Sequence, residues 1–363
     1  MKRTISILTV CLLAISLLAG CGSSTVVVQA PATEAPATEA PATEAPAETV
    51  DAAAEATGSA IKLGLAILPS ISGSKDATAE ENGKASYDVT VAAVVVNGDG
   101  VIKQCIIDCV GSSIGFDTKG QVVDFDPAKE ILSKNELGEN YGMKAYAGSA
   151  YEWNEQVAAL AQFAVGKTAA ELRAGAVDEA GKAKDADLAT VATIHIGSYV
   201  EAVEKAVANA QEVEAGWEDV LKLAIISSAK ADPVGEKDGL AQLDVDVAAI
   251  TMNGDTITAC AIDSVQAKVS FDANGAITTD LTAAPQTKNE LGEGYGMKAY
   301  AGATYEWNEQ AANFAAYVTG KTAAEVAGIA INDSTKPAEG TDLAATVTIS
   351  IGGFQNLIAK AAK

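Results

Sequence analysis

The sequence predicts an α+β fold built from two tandem repeats, each with antiparallel hairpins first, helices next and a strand–helix unit last. Three observations carry this. Residues 134–156 and 288–310 read KNELGENYGMKAYAGSAYEWNEQ and KNELGEGYGMKAYAGATYEWNEQ, differing only at 140/294, 149/303 and 150/304. The segments before each block alternate apolar and polar residues with the period of a strand, while those after it space apolar residues by three and four. Strand-like runs precede helical ones in both copies instead of alternating singly with them, the order of an α+β chain and not of a parallel sheet.

The amino terminus comes first. Lys2 and Arg3 precede an apolar run over residues 5–19 that ends Leu18-Ala19-Gly20-Cys21. A basic start, a short apolar core and small residues before a cysteine describe a lipoprotein signal peptide over 1–20. The run falls short of the roughly 20 apolar residues that span a bilayer. Cys21 is therefore expected to carry the lipid and to hold the protein at the outer, extracytoplasmic face of a bacterial membrane. Residues 21–58 then change to Pro, Ala, Thr and Glu, with Pro31, Pro36, Pro41 and Pro46 closing a PATEA repeat. Such a composition cannot bury enough apolar surface to offset its ordering entropy. It reads as an extended tether, roughly 30 residues at about 3 Å each.

The remainder divides into repeats over 59–211 and 212–363, each near the size at which a domain of about 150 residues buries its own core. Residues 87–96 and 243–252 alternate as strands, meet Asn97-Gly98-Asp99 and Asn253-Gly254-Asp255, and continue into second strands, so each copy opens with a hairpin. Shorter hairpins are expected over 116–125 and 271–279, around Lys119-Gly120 and Asn274-Gly275. The glycine-rich block reads as a loop, and Trp153, Val157 and Leu160, like Trp307, Ala311 and Phe314, start a helix after it. Apolar strands are expected over 188–196 and 343–351, leading into terminal helices that begin near Ser198 and Gly353.

Charge and composition exclude several functions. A net charge of −23 repels nucleic acid and anionic headgroups. One histidine, His195, rules out a histidine-rich metal site, and Cys105, Cys109 and Cys260 match no zinc motif. Cys105 and Cys260 occupy equivalent positions and read as small buried hydrophobes. Gly166-Lys167-Thr168 and Gly320-Lys321-Thr322 end like a phosphate-binding loop, but Ala161 and Ala315 stand where it needs glycine. No dinucleotide fingerprint follows Gly138. His195 becomes Ser350 in the second copy, so no catalytic triad is shared, and His195 reads as a strand residue.

One constellation remains. Leu137-Gly138 and Leu291-Gly292 close a loop, Trp153 and Trp307 follow, and Gly166-Lys167-Thr168 and Gly320-Lys321-Thr322 close the next helix. Asp187-Leu188-Ala189-Thr190-Val191-Ala192-Thr193 and Asp342-Leu343-Ala344-Ala345-Thr346-Val347-Thr348 lead into the terminal helices. This order resembles the FMN-binding domain family, found in flavin subunits of sodium-pumping NADH:quinone reductases, in related electron-transport complexes and in surface lipoproteins. The family's attachment motif runs Asp-x-x-Ser/Thr-Gly-Ala-Thr, and its last threonine carries FMN as a phosphoester. The resemblance implies FMN as cofactor, attached at Thr193 or Thr348, with Asp187, Thr190 and Asp342 in the motif. It also implies a flavin transferase and a redox partner. Repeat one departs from the motif only at Val191, repeat two at Ala345, Thr346 and Val347. Gly302-Ala303-Thr304 lacks the leading Asp, so Thr304 reads as a loop residue.

A phosphate needs backbone N–H donors, which a helix start supplies, and the flavin ring needs apolar and aromatic walls. Tyr141, Met143, Tyr146 and Trp153, with Tyr295, Met297, Tyr300 and Trp307, are the candidates. The expected function is extracytoplasmic electron transfer through bound or covalent FMN. The alternative is a surface lipoprotein of the same fold that binds or scaffolds without a cofactor.

Overall fold

Strand pairing follows the hydrophobic pattern. In the computed structural model, which describes residues 60–363, β1 (Ile61–Ser70), β2 (Gly83–Val96) and β3 (Ile102–Phe116) form an antiparallel meander, with Leu65 opposite Ala93 and Val91 opposite Asp108. β4 (Val122–Val123) joins the β3 edge and β5 (Gln211–Val213) the β1 edge, in the order β4-β3-β2-β1-β5. β6 (Val220–Asp232), β7 (Gly239–Asn253) and β8 (Thr256–Phe271) make a second antiparallel sheet of three strands. The expected hairpins are present, and β1 and β6 extend each to a third strand. The signal segment, Cys21 and the tether lie outside the described residues.

Helices follow in both copies. The block holds two short helices, α1 (Lys134–Leu137) and α2 (Met143–Ala147), with a 3-10 turn between them. Next come α3 (Trp153–Ala164), α4 (Ala169–Ala176), α5 (Ala186–Val191) and α6 (Gly197–Ala208). The second copy has α7 (Lys288–Leu291), α8 (Met297–Ala301), α9 (Trp307–Val318), α10 (Ala323–Ala327) and α11 (Gly352–Ala361). α3 shows why the sequence folds this way: Trp153, Val157, Leu160 and Ala164 recur at three- and four-residue spacing and are buried. Thr168 then begins α4 with a capping box to Glu171.

Residues 89–96 of β2 are buried without interruption, which requires cover on both faces. One face, with Val89, Val91, Ala93 and Val95, joins Leu243, Val245, Val247 and Ala249 of β7 in a single cluster. The other face, with Ala92, Val94 and Val96, packs on Trp153, Leu160, Val200 and Val203. Ile250, Phe314, Leu357 and Ile358 make the corresponding outer cluster of the second copy. The layers are therefore helices, sheet, sheet, helices. Each fully buried Val, Leu or Phe contributes roughly 1.5–3 kcal/mol, so the inter-sheet layer is a large share of the core. The sequence divides at 211/212, whereas this layer takes residues from both sides of that point.

The two halves meet through reciprocal contacts. The equivalent Phe116 and Phe271 stack with ring centroids 4.1 Å apart and planes 2° from parallel. Ala77 N donates to Gly275 O and Val234 N to Gly120 O, each at 2.8 Å. Lys205 pairs with Glu290 at 2.6 Å, and the equivalent Lys360 pairs with Glu136 at 2.5 Å. An exchange of this kind is the signature of a two-fold, isologous interface.

Four expectations need correction. The glycine-rich block is not a loop: it winds into α1, a 3-10 turn and α2, and likewise in the second copy. The strands over 188–196 and 343–351 are absent: the first is α5 followed by an irregular segment, the second a 3-10 turn at Leu343–Ala345. Their buried residues are Leu188, Ala192 and Ile196, and Leu343, Val347 and Ile351, a spacing of four and not of two. Asp185 also caps α5, accepting from Asp187 N and Leu188 N. His195 accordingly lies exposed between α5 and α6, not in a strand. The second hairpins shrink to the two-residue β4 and to a single bridge, Phe271 to Ile277, because Asp117 and Asp272 side chains close the turns on themselves.

Candidate functional site

The repeated block is fastened to its sheet at one end by a buried aspartate. Asp108 Oδ1 accepts from Asn135 N at 3.0 Å while Asn135 Nδ2 donates to Ile107 O at 2.9 Å. Asp263 and Asn289 repeat this at 3.1 and 3.0 Å. Burial pushes both carboxyls up, Asp263 to about 6, against the hydrogen bonds that favour the charged form. Ser133 with Glu136 and Thr287 with Glu290 form capping boxes that start α1 and α7. Gly138 and Gly292 then turn the chain at φ 49° and ψ −122°, a conformation that side chains resist.

At its other end the block closes on a buried glutamate. Glu152, 3 % exposed, accepts from Met143 N at 2.8 Å and Lys144 N at 3.1 Å while capping α3. Glu306 does the same at 2.7 and 3.1 Å. Lys144 pairs with Glu155 and Lys298 with Glu309. These contacts specify backbone shape, which explains why this polar segment is nearly identical in the two copies while the apolar framework differs.

Two residues that the sequence reading missed connect the block to the candidate attachment threonines. Gln156 Oε1 accepts from Thr193 N at 2.8 Å, Thr193 Oγ1 at 3.2 Å and Ile194 N at 3.1 Å. Gln310 Oε1 accepts from Thr348 N at 2.7 Å, Thr348 Oγ1 at 3.2 Å and Ile349 N at 3.2 Å. Both glutamines are fully buried, and their place at the end of the identical block was the available signal. Thr193 and Thr348 remain exposed. Asp187 and Thr190 lie exposed on α5, where Thr190 Oγ1 donates to Asp187 O at 2.6 Å. Asp342 begins the 3-10 turn at Leu343–Ala345 and caps nothing with its side chain.

The aromatic candidates gather around a lysine in each copy. Lys134 Nζ lies 5.2 Å from the Trp153 ring centre, 5.3 Å from that of Tyr141 and 3.6 Å from Asp88. Burial disfavours its charge, but the surrounding acidic groups, the Asp88 carboxylate among them, outweigh that and hold the ammonium above the usual lysine range. Burial pushes the Cys109 thiol up to about 12, leaving it inert, and Sγ donates to Asp88 Oδ1. Trp153 Nε1 donates to Tyr199 OH at 3.0 Å. In the second copy Lys288 lies 4.7 Å from the Trp307 ring centre and 5.4 Å from that of Tyr295. Burial lowers its pKa against the pull of Asp246, Asp244 and Asp263. Phe354 takes the place of Tyr199 beside Trp307.

FMN can be tried against this arrangement. Its phosphate end fits: α6 and α11 start four residues after Thr193 and Thr348, and no side chain caps either start. Its ring end finds less. Trp153 and Trp307 are buried in the outer clusters, Met143 and Met297 are half-buried against them, and Leu137, Gly138, Leu291 and Gly292 are half-buried in the turn. Tyr141 and Tyr295 alone of the expected ring wall offer partly open faces, while Tyr146 and Tyr300 project 90 % exposed. Surface cavities of about 790, 430 and 570 Å³ lie elsewhere, and none of the three is lined by these aromatics or by either threonine. Comparison with family models, curated proteins and solved structures finds no match for this chain.

Proposed function

We propose that this chain is a lipid-anchored extracytoplasmic protein whose body carries FMN at Thr193 and transfers electrons at the outer face of a bacterial membrane. What supports the reading is the attachment segment. An exposed threonine hydroxyl is held by a buried glutamine four residues before α6, whose start has no side-chain cap although Gly181 O accepts from Ile196 N and Gly197 N, and repeat one keeps Asp187, Thr190, Ala192 and Thr193 of the family's motif. Bound there, the flavin would supply the redox chemistry, while Gln156 fixes the threonine and the first turn of α6 offers N–H donors to the phosphate. A flavin transferase would be required to form the bond. The test is co-expression with such an enzyme and peptide mass mapping: FMN is expected on the peptide holding Thr193, and Thr193→Ala should remove it. An adduct on Thr304 would place the motif elsewhere.

The second reading, a cofactor-free binding or scaffolding lipoprotein, is favoured by the packing of Trp153 into the core. That ring then has no face left for a flavin. The absence of visible flavin absorption in protein purified from its native host would decide for it.

A further inference from the structure

The two halves create two equivalent seams: in one the space is open as a single cavity, in the other it is divided. The first runs between β1, β5 and α6 on one side and β8, α7 and α9 on the other, and holds the cavity of about 790 Å³. The second lies between β3 with α3 and β6 with α11, where the space is broken into cavities of about 430 and 570 Å³. The difference is traceable to four positions. Lys103, Gln104, Ile106 and Gln162 line the divided seam, and at the equivalent positions of the open one stand Thr258, Ala259, Ala261 and Ala316. Gln104 is the plug: its Nε2 donates to Asp219 O at 2.7 Å and its Oε1 accepts from Leu221 N at 2.8 Å. Alanine at 259 can do neither.

The open seam has the size of a small-molecule site and a definite polarity. Leu63, Leu65, Ile67, Ala312 and Ala315 supply apolar walls. Asn308 also lines it, but its Oδ1 is enclosed by protein and out of reach of the cavity, as is that of the equivalent Asn154 in the other seam. Four carboxylates, Glu212, Glu214, Asp263 and Glu290, border the cavity against one cation, Lys205. That ammonium is already engaged by Glu290 and by Ile67 O at 3.0 Å. Anions are repelled, and a cationic donor meets a negative rim.

We propose that the open seam binds a small organic ammonium with an aliphatic body, its charged end at the carboxylates and its chain along β1 and α9. Calorimetric titration of the full-length chain with octylamine, octanoate and octanol tests this. Octylamine should bind about tenfold tighter than octanoate or octanol. Ala259→Gln combined with Ala316→Gln copies side chains that the other seam already accommodates, and should reduce octylamine binding about tenfold. Glu212→Lys combined with Glu214→Lys changes only exposed positions at the rim and should weaken it roughly fivefold. Equal binding of amine and octanoate would overturn the proposal, as would undiminished octylamine binding to either double variant. An absence of saturable heat with all three probes would also overturn it, because the cavity would then hold only solvent. Should the glutamine variant fail to fold, the rim variant decides alone.

Discussion

Asp263 is a carboxylate in an unfavourable place that the fold nevertheless uses. Its Oδ1 accepts from Ser264 N at 2.7 Å and Asn289 N at 3.1 Å, tying the block to β8. Burial raises its pKa from 3.8 to about 6, so the folded state holds the proton more tightly than the unfolded chain does. The protonated form's advantage is complete below about pH 4 and is lost as pH rises through about 6, a destabilisation on the order of 3 kcal/mol at neutral pH. Asn in its place keeps an oxygen for both amides and has no charge to bury. Asp263→Asn should therefore be more stable than the parent in urea unfolding at pH 7.5, with the gap closing by pH 4. A gap that stays constant across that range would mean that the carboxyl is not the titrating group.

Among the elements, the joint between the block and the segment before α6 is the one that depends on a single side chain. Replacing Gln156 by Leu leaves the half-buried N–H of Ile194 without its acceptor and that of Thr193 with only Val191 O at 3.2 Å, at about 1–3 kcal/mol for an unsatisfied group. Thr193→Ala removes only an exposed hydroxyl and should cost less than about 1 kcal/mol. Thermal melts of the two variants should separate them clearly, and equal losses would show that Gln156 Oε1 does not carry the joint. Much of the element order was legible: the alternation of residues 243–252, the turns at Gly98 and Gly254, and the helical spacing after Trp153 each act through local periodicity. The segment 188–196 was not, because Ile194 and Ile196 are spaced by two while Leu188, Ala192 and Ile196 are spaced by four. Only packing against α3 decides between them. Gln156 and Gln310 were marked by their place in the identical block but their role was not legible, since nothing in a glutamine's own neighbourhood announces a backbone partner 37 or 38 residues away.

For the whole molecule, the shared inter-sheet layer decides how it folds. A single repeat would leave Val89, Val91, Val110 and Phe116, or Val245, Val247, Val265 and Phe271, facing water, and an exposed apolar surface of that kind drives association. Residues 60–210 and 214–363, produced separately, should therefore fail to melt cooperatively as monomers and should recover a cooperative transition when mixed. Two independent monomeric transitions would show that the outer clusters suffice. The sequence contains the repeat but not this dependence, since two tandem copies can equally form beads on a string. The alternation in β2 and β7 shows that both faces are apolar without showing what covers each.

The stacked Phe116 and Phe271 have a further consequence. Were the same interface made by two separate identical chains, it would form only above a threshold concentration, and each substitution would be imposed on both seams at once. Joined in one chain, the halves meet at an effective concentration in the millimolar range, independent of how sparsely the protein is distributed. Each position can also change alone. Gln104 could remain on one side of the axis while its counterpart became Ala259, so a molecule assembled like a symmetric dimer acquired two unlike sides.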